Sequence, residues 1–195
     1  MTKSRTTISK EIKEKVLKEF NHRCAICGSV NPHLHHIDEN PSNNEIENLI
    51  PLCPNHHLSD QHNPTSTIPF YKMKLFREYK DPTILLSKFD PLYQRIIFLY
   101  DIHDKSLDNE LIDKSGELIR FISFLNMGEF YKQEVQKLIS SSPREYSNIR
   151  PLHVYAEEYR GRLISNRKKT IDLIVELLRY QNWSDKESGS KSTNS

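Results

Sequence analysis

The feature that most constrains the fold of this chain is the crowding of its cysteines and histidines into one short segment. All three cysteines and seven of the nine histidines lie between residues 22 and 62 of the 195-residue sequence. Cys24 and Cys27 form a C-x-x-C pair, and Cys53 and His56 repeat that spacing as C-x-x-H. Two such pairs can direct four ligands at one tetrahedral zinc ion. The spacing therefore predicts a structural zinc site built from three cysteines and one histidine.

Other uses of these cysteines fit the sequence less well than zinc. An odd number of cysteines and an N-terminal sequence without a hydrophobic signal core argue against a secreted disulfide framework. A C-x-x-C alone would also suit a redox pair or two buried thiols, but the matched second pair favours zinc. Residues 24–63 contain few large apolar side chains. A structural zinc, with an apparent binding free energy of about 10–16 kcal/mol, would supply the stability that such a small core lacks.

The composition is that of a globular protein, with 36% hydrophobic and 28% charged residues. No stretch approaches the ~18 consecutive apolar residues of a membrane span. We therefore expect a cytoplasmic chain without a membrane partner.

The small net charge of +2 conceals an uneven distribution along the chain. Residues 1–23 carry a net charge of +4, residues 24–63 carry −5 with no lysine or arginine, and residues 64–80 carry +3. An acidic centre between basic arms is typical of a metal site set in a phosphate-binding surface. Ordinary solvated helix faces would also explain any single basic run.

The residues between the two metal-binding pairs predict a strand, a turn and a returning strand. Residues 34–38 have the apolar neighbours of a short strand, residues 40–44 form a turn cluster, and residues 47–52 predict the second strand. Residues 56–62 are expected to open a helix.

The run CAICGSVNPHLHHIDENPSNNEIENLIPLCPNHH resembles the core of the HNH endonucleases, which are ββα-metal nucleases, in their zinc-stapled variant. The resemblance covers about residues 20–62 and places His36, Asn48 and His57 at the family's H, N and H. It implies that His36 is the general base for the attacking water and that His35 and His57 bind a catalytic divalent metal. It also implies that Asn48 braces the loop and holds the His36 ring through a hydrogen bond.

Local geometry is compatible with this division of roles. Adjacent residues on a strand point to opposite faces, so His35 and His36 are not expected to do the same work. Adjacent residues on a helix lie about 100° apart, which lets His56 face the zinc while His57 faces a second metal. Each histidine alone would more often be a satisfied structural residue.

Two imidazole ligands suit Mn²⁺, Zn²⁺, Ni²⁺ or Co²⁺ better than Mg²⁺, which prefers oxygen. Because the family uses both kinds of site, we expect support by Mg²⁺ or Mn²⁺, with Mn²⁺ the better of the two. Zn²⁺ and Ni²⁺ are further candidates.

Basic side chains on both sides of the motif are candidate contacts to the DNA backbone. Such contacts bind without reading sequence and weaken steeply with salt. The candidates are Lys10, Lys13, Lys18, Arg23, Lys72, Lys74 and Arg77.

Beyond residue 66 the apolar periodicity predicts helices only, the last and longest over residues 153–180. We therefore predict an α+β protein with a small zinc-stapled ββα-metal domain (1–66, including a basic N-terminal helix). An all-helical domain (67–183) for substrate, oligomer or partner contacts follows, and then a disordered tail (184–195).

The predicted function is metal-dependent hydrolysis of DNA phosphodiester bonds, leaving 5′-phosphate and 3′-hydroxyl ends. By family-level analogy the chain would be the nuclease of a bacterial antiphage or restriction system, as a homodimer or beside an ATPase or sensor subunit. One alternative is a zinc-stabilised nucleic-acid-binding module without turnover. Another is an RNA-cleaving toxin that uses the same site.

Overall fold

The computed structural model describes residues 7–61, 67–102, 108–139 and 152–191. The chain divides into two compact units, Met1–Leu85 and Leu86–Ser195. The first unit contains a small sheet with helices and the second is helical within its described residues, so the predicted α+β class with a helical C-terminal region is confirmed.

The first unit begins with helix α1 (Lys10–Glu19). Ser9 caps this helix, because its hydroxyl oxygen accepts a hydrogen bond from the Ile12 amide at 3.2 Å. The helix buries Val16 and ends at Phe20. Asn21 and His22 then adopt left-handed backbone angles that turn the chain away from the helix axis.

Strands β1 (His33–His36) and β2 (Leu49–Leu52) form a two-stranded antiparallel sheet, in which His35 lies opposite Ile50. A 3₁₀ turn over Ile46–Asn48 precedes β2. Residues 46–48 therefore wind as a turn, and the second strand begins two residues later than its predicted start at residue 47. The core side chains Leu49, Ile50 and Leu52 are fully buried.

A short π-helical segment, Asn55–Gln61, follows β2 at the position where a helix was predicted. Helix α2 (Phe70–Tyr79) then packs Met73, Leu75 and Phe76 into the core of the first unit. The unit ends after a 3₁₀ turn at Pro82–Leu85. The boundary between units lies after Leu85, not at residue 66, because the buried face of α2 belongs to the first core.

The described residues of the second unit form four α-helices: α3 (Asp90–Ile96), α4 (Asp108–Ser123), α5 (Gly128–Ile139) and α6 (Leu152–Lys191). The tight turn between α4 and α5 is joined to α6 by hydrogen bonds, among them a reciprocal pair between Asn126 and Gln181. The Asn126 amide donates to Gln181 Oε1 at 3.2 Å, and Gln181 Nε2 donates to the Asn126 carbonyl at 2.8 Å.

Helix α6 corrects the prediction of a disordered tail. The helix continues to Lys191 and so includes residues 184–191. Lys88 Nζ forms an ion pair with Asp185 at 2.9 Å. This tertiary contact near the end of the helix could not be inferred from composition alone. Residues 192–195 lie outside the described part of the chain. In the parts of the chain that the structure covers, no helix has both the length and the apolar character needed to cross a membrane.

Candidate metal centre and histidine cluster

The structure brings the four predicted zinc ligands together. The ligand atoms of Cys24, Cys27, Cys53 and His56 all lie within 4.8 Å of one another. His56 Nδ1 is 3.5 Å from Cys24 Sγ and 3.2 Å from Cys53 Sγ, and the sulfurs of Cys27 and Cys53 are 3.8 Å apart. In a tetrahedral zinc site, ligand bonds of about 2.3 Å to sulfur and about 2.0 Å to nitrogen imply sulfur–sulfur edges of about 3.8 Å and sulfur–nitrogen edges of about 3.5 Å. The four residues therefore fit a zinc ion.

The first ligand pair sits in a tight turn. The Cys24 amide donates to the Ser29 carbonyl at 2.8 Å, and the Gly28 amide donates to the Cys24 carbonyl at 2.9 Å. Gly28 has φ +74°, a left-handed conformation that glycine adopts without a steric cost. The Ala25 amide also donates to the Pro51 carbonyl at 2.8 Å, which fixes this turn to β2.

The second ligand pair follows directly from the end of β2. Cys53 is buried there, and its carbonyl accepts a hydrogen bond from the His57 amide at 2.8 Å. This contact begins the π-helical segment, which turns His56 toward the three sulfurs. His57, one residue later, faces the histidines of β1.

The pKa values of two of the thiols are shifted in opposite directions, one by burial and the other by hydrogen bonding. Burial raises the pKa of Cys24, which is 3% exposed. The hydroxyl of Ser29, 3.1 Å from Cys27 Sγ, is the main cause that lowers the pKa of the exposed Cys27 to about 6, and the Ser29 amide adds to this effect. Zinc binds cysteine as the thiolate, and the hydrogen bonds from Ser29 favour that form at Cys27.

A second group of imidazoles lies beside the zinc-type cluster. The ring centres of His35 and His57 are 5.3 Å apart, with the rings edge-on to each other. Two imidazoles bound to one tetrahedral ion have ring centres about 5 Å apart, given metal–nitrogen bonds of about 2.0–2.1 Å. The two residues assigned to a catalytic metal are thus neighbours in space, at a separation that suits a shared ion.

His33 belongs to the same group, although the sequence-based site did not include it. Its ring centre is 6.3 Å from that of His57 and nearly parallel to it. Residues two apart on a strand share a face, which places His33 beside His35. This alternation is a signal that the sequence contained.

His36, the residue after His35 on β1, contacts the loop between the two strands. Its Nε2 atom is 3.0 Å from Asn44 Oδ1. The predicted hydrogen bond from Asn48 to the His36 ring is wrong, since Asn44 makes that bond. Asn44 lies in a run of turn-forming residues, and nothing in the sequence distinguishes it from its neighbours.

The Asn48 side chain links residues of the loop between the strands through three hydrogen bonds. Its Nδ2 donates to Asp38 Oδ1 at 2.8 Å and to the Asn43 carbonyl at 2.9 Å, while its Oδ1 accepts from the Asp38 amide at 3.1 Å. The side chain is 9% exposed, so these bonds satisfy a buried amide.

Asp38 is the acidic residue of this loop that accepts hydrogen bonds from its asparagines. Burial is the largest single effect on its pKa and would raise it. Hydrogen bonds from Asn43 Nδ2, the Asn40 amide and Asn48 Nδ2 together outweigh burial, and the pKa of Asp38 is lowered. Asp38 therefore carries a negative charge near His36 at neutral pH.

The predicted DNA-contacting residues separate into exposed and buried groups. Lys72 and Arg77 are 5% and 6% exposed, which is incompatible with the predicted contact to a DNA backbone. Arg77 instead donates from Nε to the Leu49 carbonyl at 2.7 Å and pairs with Glu19. The exposed candidates are Lys10, Lys13, Lys18, Arg23 and Lys74.

Comparison with known proteins found no matching family model, no matching curated protein and no matching solved structure.

Proposed function

We propose that this chain is a metal-dependent endonuclease of the HNH type that hydrolyses DNA phosphodiester bonds. The observation that carries the proposal is the pairing of His35 with His57 at 5.3 Å, beside a zinc-type cluster and one residue from His36. A purely structural zinc module does not need a second pair of imidazoles next to its metal ligands.

The chemistry assigned to His36 is that of a general base. Its Nε2 atom lies 3.0 Å from Asn44 Oδ1, and the ring nitrogen that carries a lone pair would take a proton from water. As that proton moves to His36, the water oxygen bonds to phosphorus and the bond from phosphorus to the 3′ oxygen breaks. The leaving 3′ oxygen takes a proton from solvent, which yields 5′-phosphate and 3′-hydroxyl ends.

His35 and His57 would hold the catalytic divalent ion, and Cys24, Cys27, Cys53 and His56 the structural zinc. When bound, the divalent ion supplies Lewis-acid stabilisation of the charge that develops on the phosphoryl oxygens and on the leaving oxygen. Imidazole donors favour Mn²⁺ over Mg²⁺ at such a site.

The exposed lysines of α1 support a nucleic-acid substrate. Lys10, Lys13 and Lys18 are exposed on this helix, and Lys18 has only a 3.6 Å ion pair with Glu14 to offset its charge. Arg23 follows the helix and is also exposed. Such a surface binds phosphates without reading base sequence.

Cleavage of supercoiled plasmid at low salt tests the proposal. Wild type, His36→Ala and the matched surface variant His22→Ala would each be assayed with EDTA, Mg²⁺ or Mn²⁺. We expect metal-dependent nicking by wild type and His22→Ala, and a reduction of about 10²–10⁴-fold in rate for His36→Ala. Equal rates for wild type and His36→Ala would refute the assignment of the base.

A non-catalytic zinc-stabilised nucleic-acid-binding module is the second candidate. It is favoured by one observation: across the residues that the structure describes, the Cys₃His cluster is the sole set of three or more such groups whose ligand atoms converge closely enough for a metal. Wild type that binds zinc and DNA but cuts in no metal would establish this alternative.

The expected partners remain predictions. A second copy of this chain would double the mass of 23.0 kDa in light scattering. An ATPase or sensor subunit would be recovered with the chain from its own cells, and the role in antiphage or restriction defence depends on such a partner.

A further inference from the structure

The base assigned above is joined to the start of α1 by a short chain of hydrogen bonds. His36 Nε2 is 3.0 Å from Asn44 Oδ1, and Asn44 Nδ2 is 3.5 Å from the Thr7 carbonyl oxygen, which makes the second bond the weaker one. The oxygen and the nitrogen of the Asn44 side-chain amide therefore each make a hydrogen bond.

The direction of this chain follows from its last member. A carbonyl oxygen can only accept, so the Asn44 amide must turn its NH₂ group toward Thr7. Its oxygen then faces His36, and since that oxygen can only accept, His36 Nε2 must carry a proton. A neutral imidazole with a proton on Nε2 has its lone pair on Nδ1.

The loop holds Asn44 in place for this task. Asn48 Nδ2 donates to the carbonyl of Asn43, the residue directly before Asn44, at 2.9 Å. Asn43 Nδ2 donates in turn to Asp38 Oδ2 at 2.8 Å. Asn48 is thus connected to His36 indirectly, by its hydrogen bond to the Asn43 carbonyl and by the hydrogen bond between Asn44 and His36.

We propose that Asn44 is a positioning residue that holds His36 as the Nε2–H tautomer and so presents Nδ1 as the proton acceptor for the attacking water. The role in hydrolysis rests on the proposed function, whereas the tautomer can be measured without any cleavage. Asn44 itself touches neither water nor phosphate in this scheme.

The test uses the full zinc-loaded chain and three variants. Asn44→Ala removes the acceptor, and Asn44→Asp keeps an acceptor oxygen at the same position. Asn40→Ala is the matched control, because the side chain of Asn40 accepts one exposed bond from the Ser42 amide at 3.3 Å in the same loop. His36→Gln identifies the His36 signal in ¹H–¹⁵N NMR by removing it.

At pH 8 we expect a protected Nε2–H signal for His36 in wild type, Asn40→Ala and Asn44→Asp, and disappearance of that signal through solvent exchange in Asn44→Ala. In the plasmid assay, kcat of Asn44→Ala should fall about 10- to 100-fold with KM and Tm unchanged, as for other groups that orient a reacting residue. Asn44→Asp should recover most of kcat.

Each outcome supports or overturns the proposal. A wild-type His36 protonated on Nδ1, or an Nε2–H signal that survives in Asn44→Ala, overturns it. So do an unchanged kcat in Asn44→Ala, an equal reduction in Asn40→Ala, or no recovery in Asn44→Asp. If wild type cuts no DNA, the proposed function fails, and the NMR result alone decides whether Asn44 selects the tautomer.

Discussion

Arg77 on α2 and Glu19 at the end of α1 form a two-pronged ion pair, with NH1 3.0 Å from Oε1 and NH2 2.6 Å from Oε2. Arg77 also donates to the carbonyls of Leu49 and Ile46, at 2.7 and 3.2 Å. One buried guanidinium therefore joins α1, the approach to β2 and α2. The same side chain therefore contacts strand β2, which pairs with the histidine-bearing strand β1.

This pair predicts an acid-sensitive contribution to stability. The hydrogen bond from Arg77 is the main cause that lowers the pKa of Glu19 from 4.5 to about 2, and Lys80 adds to it. Because the folded pKa lies below the unfolded one, the contribution is present above about pH 4.5 and disappears as pH falls toward about 2. Glu19→Gln should cost about 1–2 kcal/mol at pH 7 after allowance for solvent screening, since a third of the side chain is exposed.

Urea unfolding of wild type and Glu19→Gln at several pH values measures this effect, and the difference between them should shrink below pH 4.5. Glu14→Gln is the control, because Glu14 is 48% exposed and its partner Lys18 is 3.6 Å away. That substitution should stay within about 0.5 kcal/mol of wild type. A pH-independent difference for Glu19→Gln would contradict the argument.

Removal of one zinc ligand should unfold the zinc-binding region. Cys53→Ser removes a buried thiolate from the four-ligand set, so we expect the protein to release its zinc and to unfold near the sheet. Metal analysis and amide hydrogen exchange of residues 24–58 measure this. His36→Ala, which leaves the four ligands intact, should keep both zinc and protection; a folded, zinc-loaded Cys53→Ser protein would exclude the structural role.

Gly128 is predicted to be intolerant of any side chain. A Cβ atom at this position would lie 2.2 Å from the Ile122 carbonyl oxygen, so Gly128→Ala should destabilise the second unit by about 3 kcal/mol or more. Gly161 is the matched control, because a Cβ there meets nothing within 4 Å on helix α6. Gly161→Ala should instead stabilise by about 0.5–1 kcal/mol, since alanine favours helix. Chemical denaturation should therefore show a lower free energy of unfolding for Gly128→Ala and a higher one for Gly161→Ala. Equal changes in the two variants would be inconsistent with the close approach at Gly128.

Neutralising two lysines of α1 should weaken DNA binding in a salt-dependent way. For Lys10→Gln combined with Lys13→Gln, the slope of log K against log salt should become shallower by about 0.9 for each phosphate that the protein no longer neutralises. Fluorescence anisotropy with DNA duplexes of unrelated sequence measures the slope. Lys137→Gln, which removes a lysine that is paired with Glu134 on α5, should leave it unchanged. An unaltered slope in the double variant would mean that DNA does not contact these two lysines of α1.

The zinc set and the order of elements around it could be predicted because they depend on local spacing. Cys24, Cys27, Cys53 and His56 stand out as two matched pairs. Such features are set within a few residues of the chain, and tertiary packing does not alter them.

Several errors arose where contacts that the local sequence does not reveal decide the outcome. Arg77 has the sequence context of a surface cation, but Glu19, 58 residues away, gives its charge a buried partner. Residues 184–191 have a disordered composition, yet they continue a helix whose earlier turns are packed. Asn44 and Asn48 are equivalent amides in the sequence, and only the folded loop determines which one reaches His36.

His56 and His57 are neighbours in the chain, yet the first joins the cysteines and the second faces His35. A single peptide bond thus separates the two groups of ligands. Deletion or insertion of one residue between Cys53 and His57 would move the His56 ring away from the sulfurs. It would also move the His57 ring away from β1. The length of this segment is therefore as important to the two groups of ligands as the imidazoles themselves.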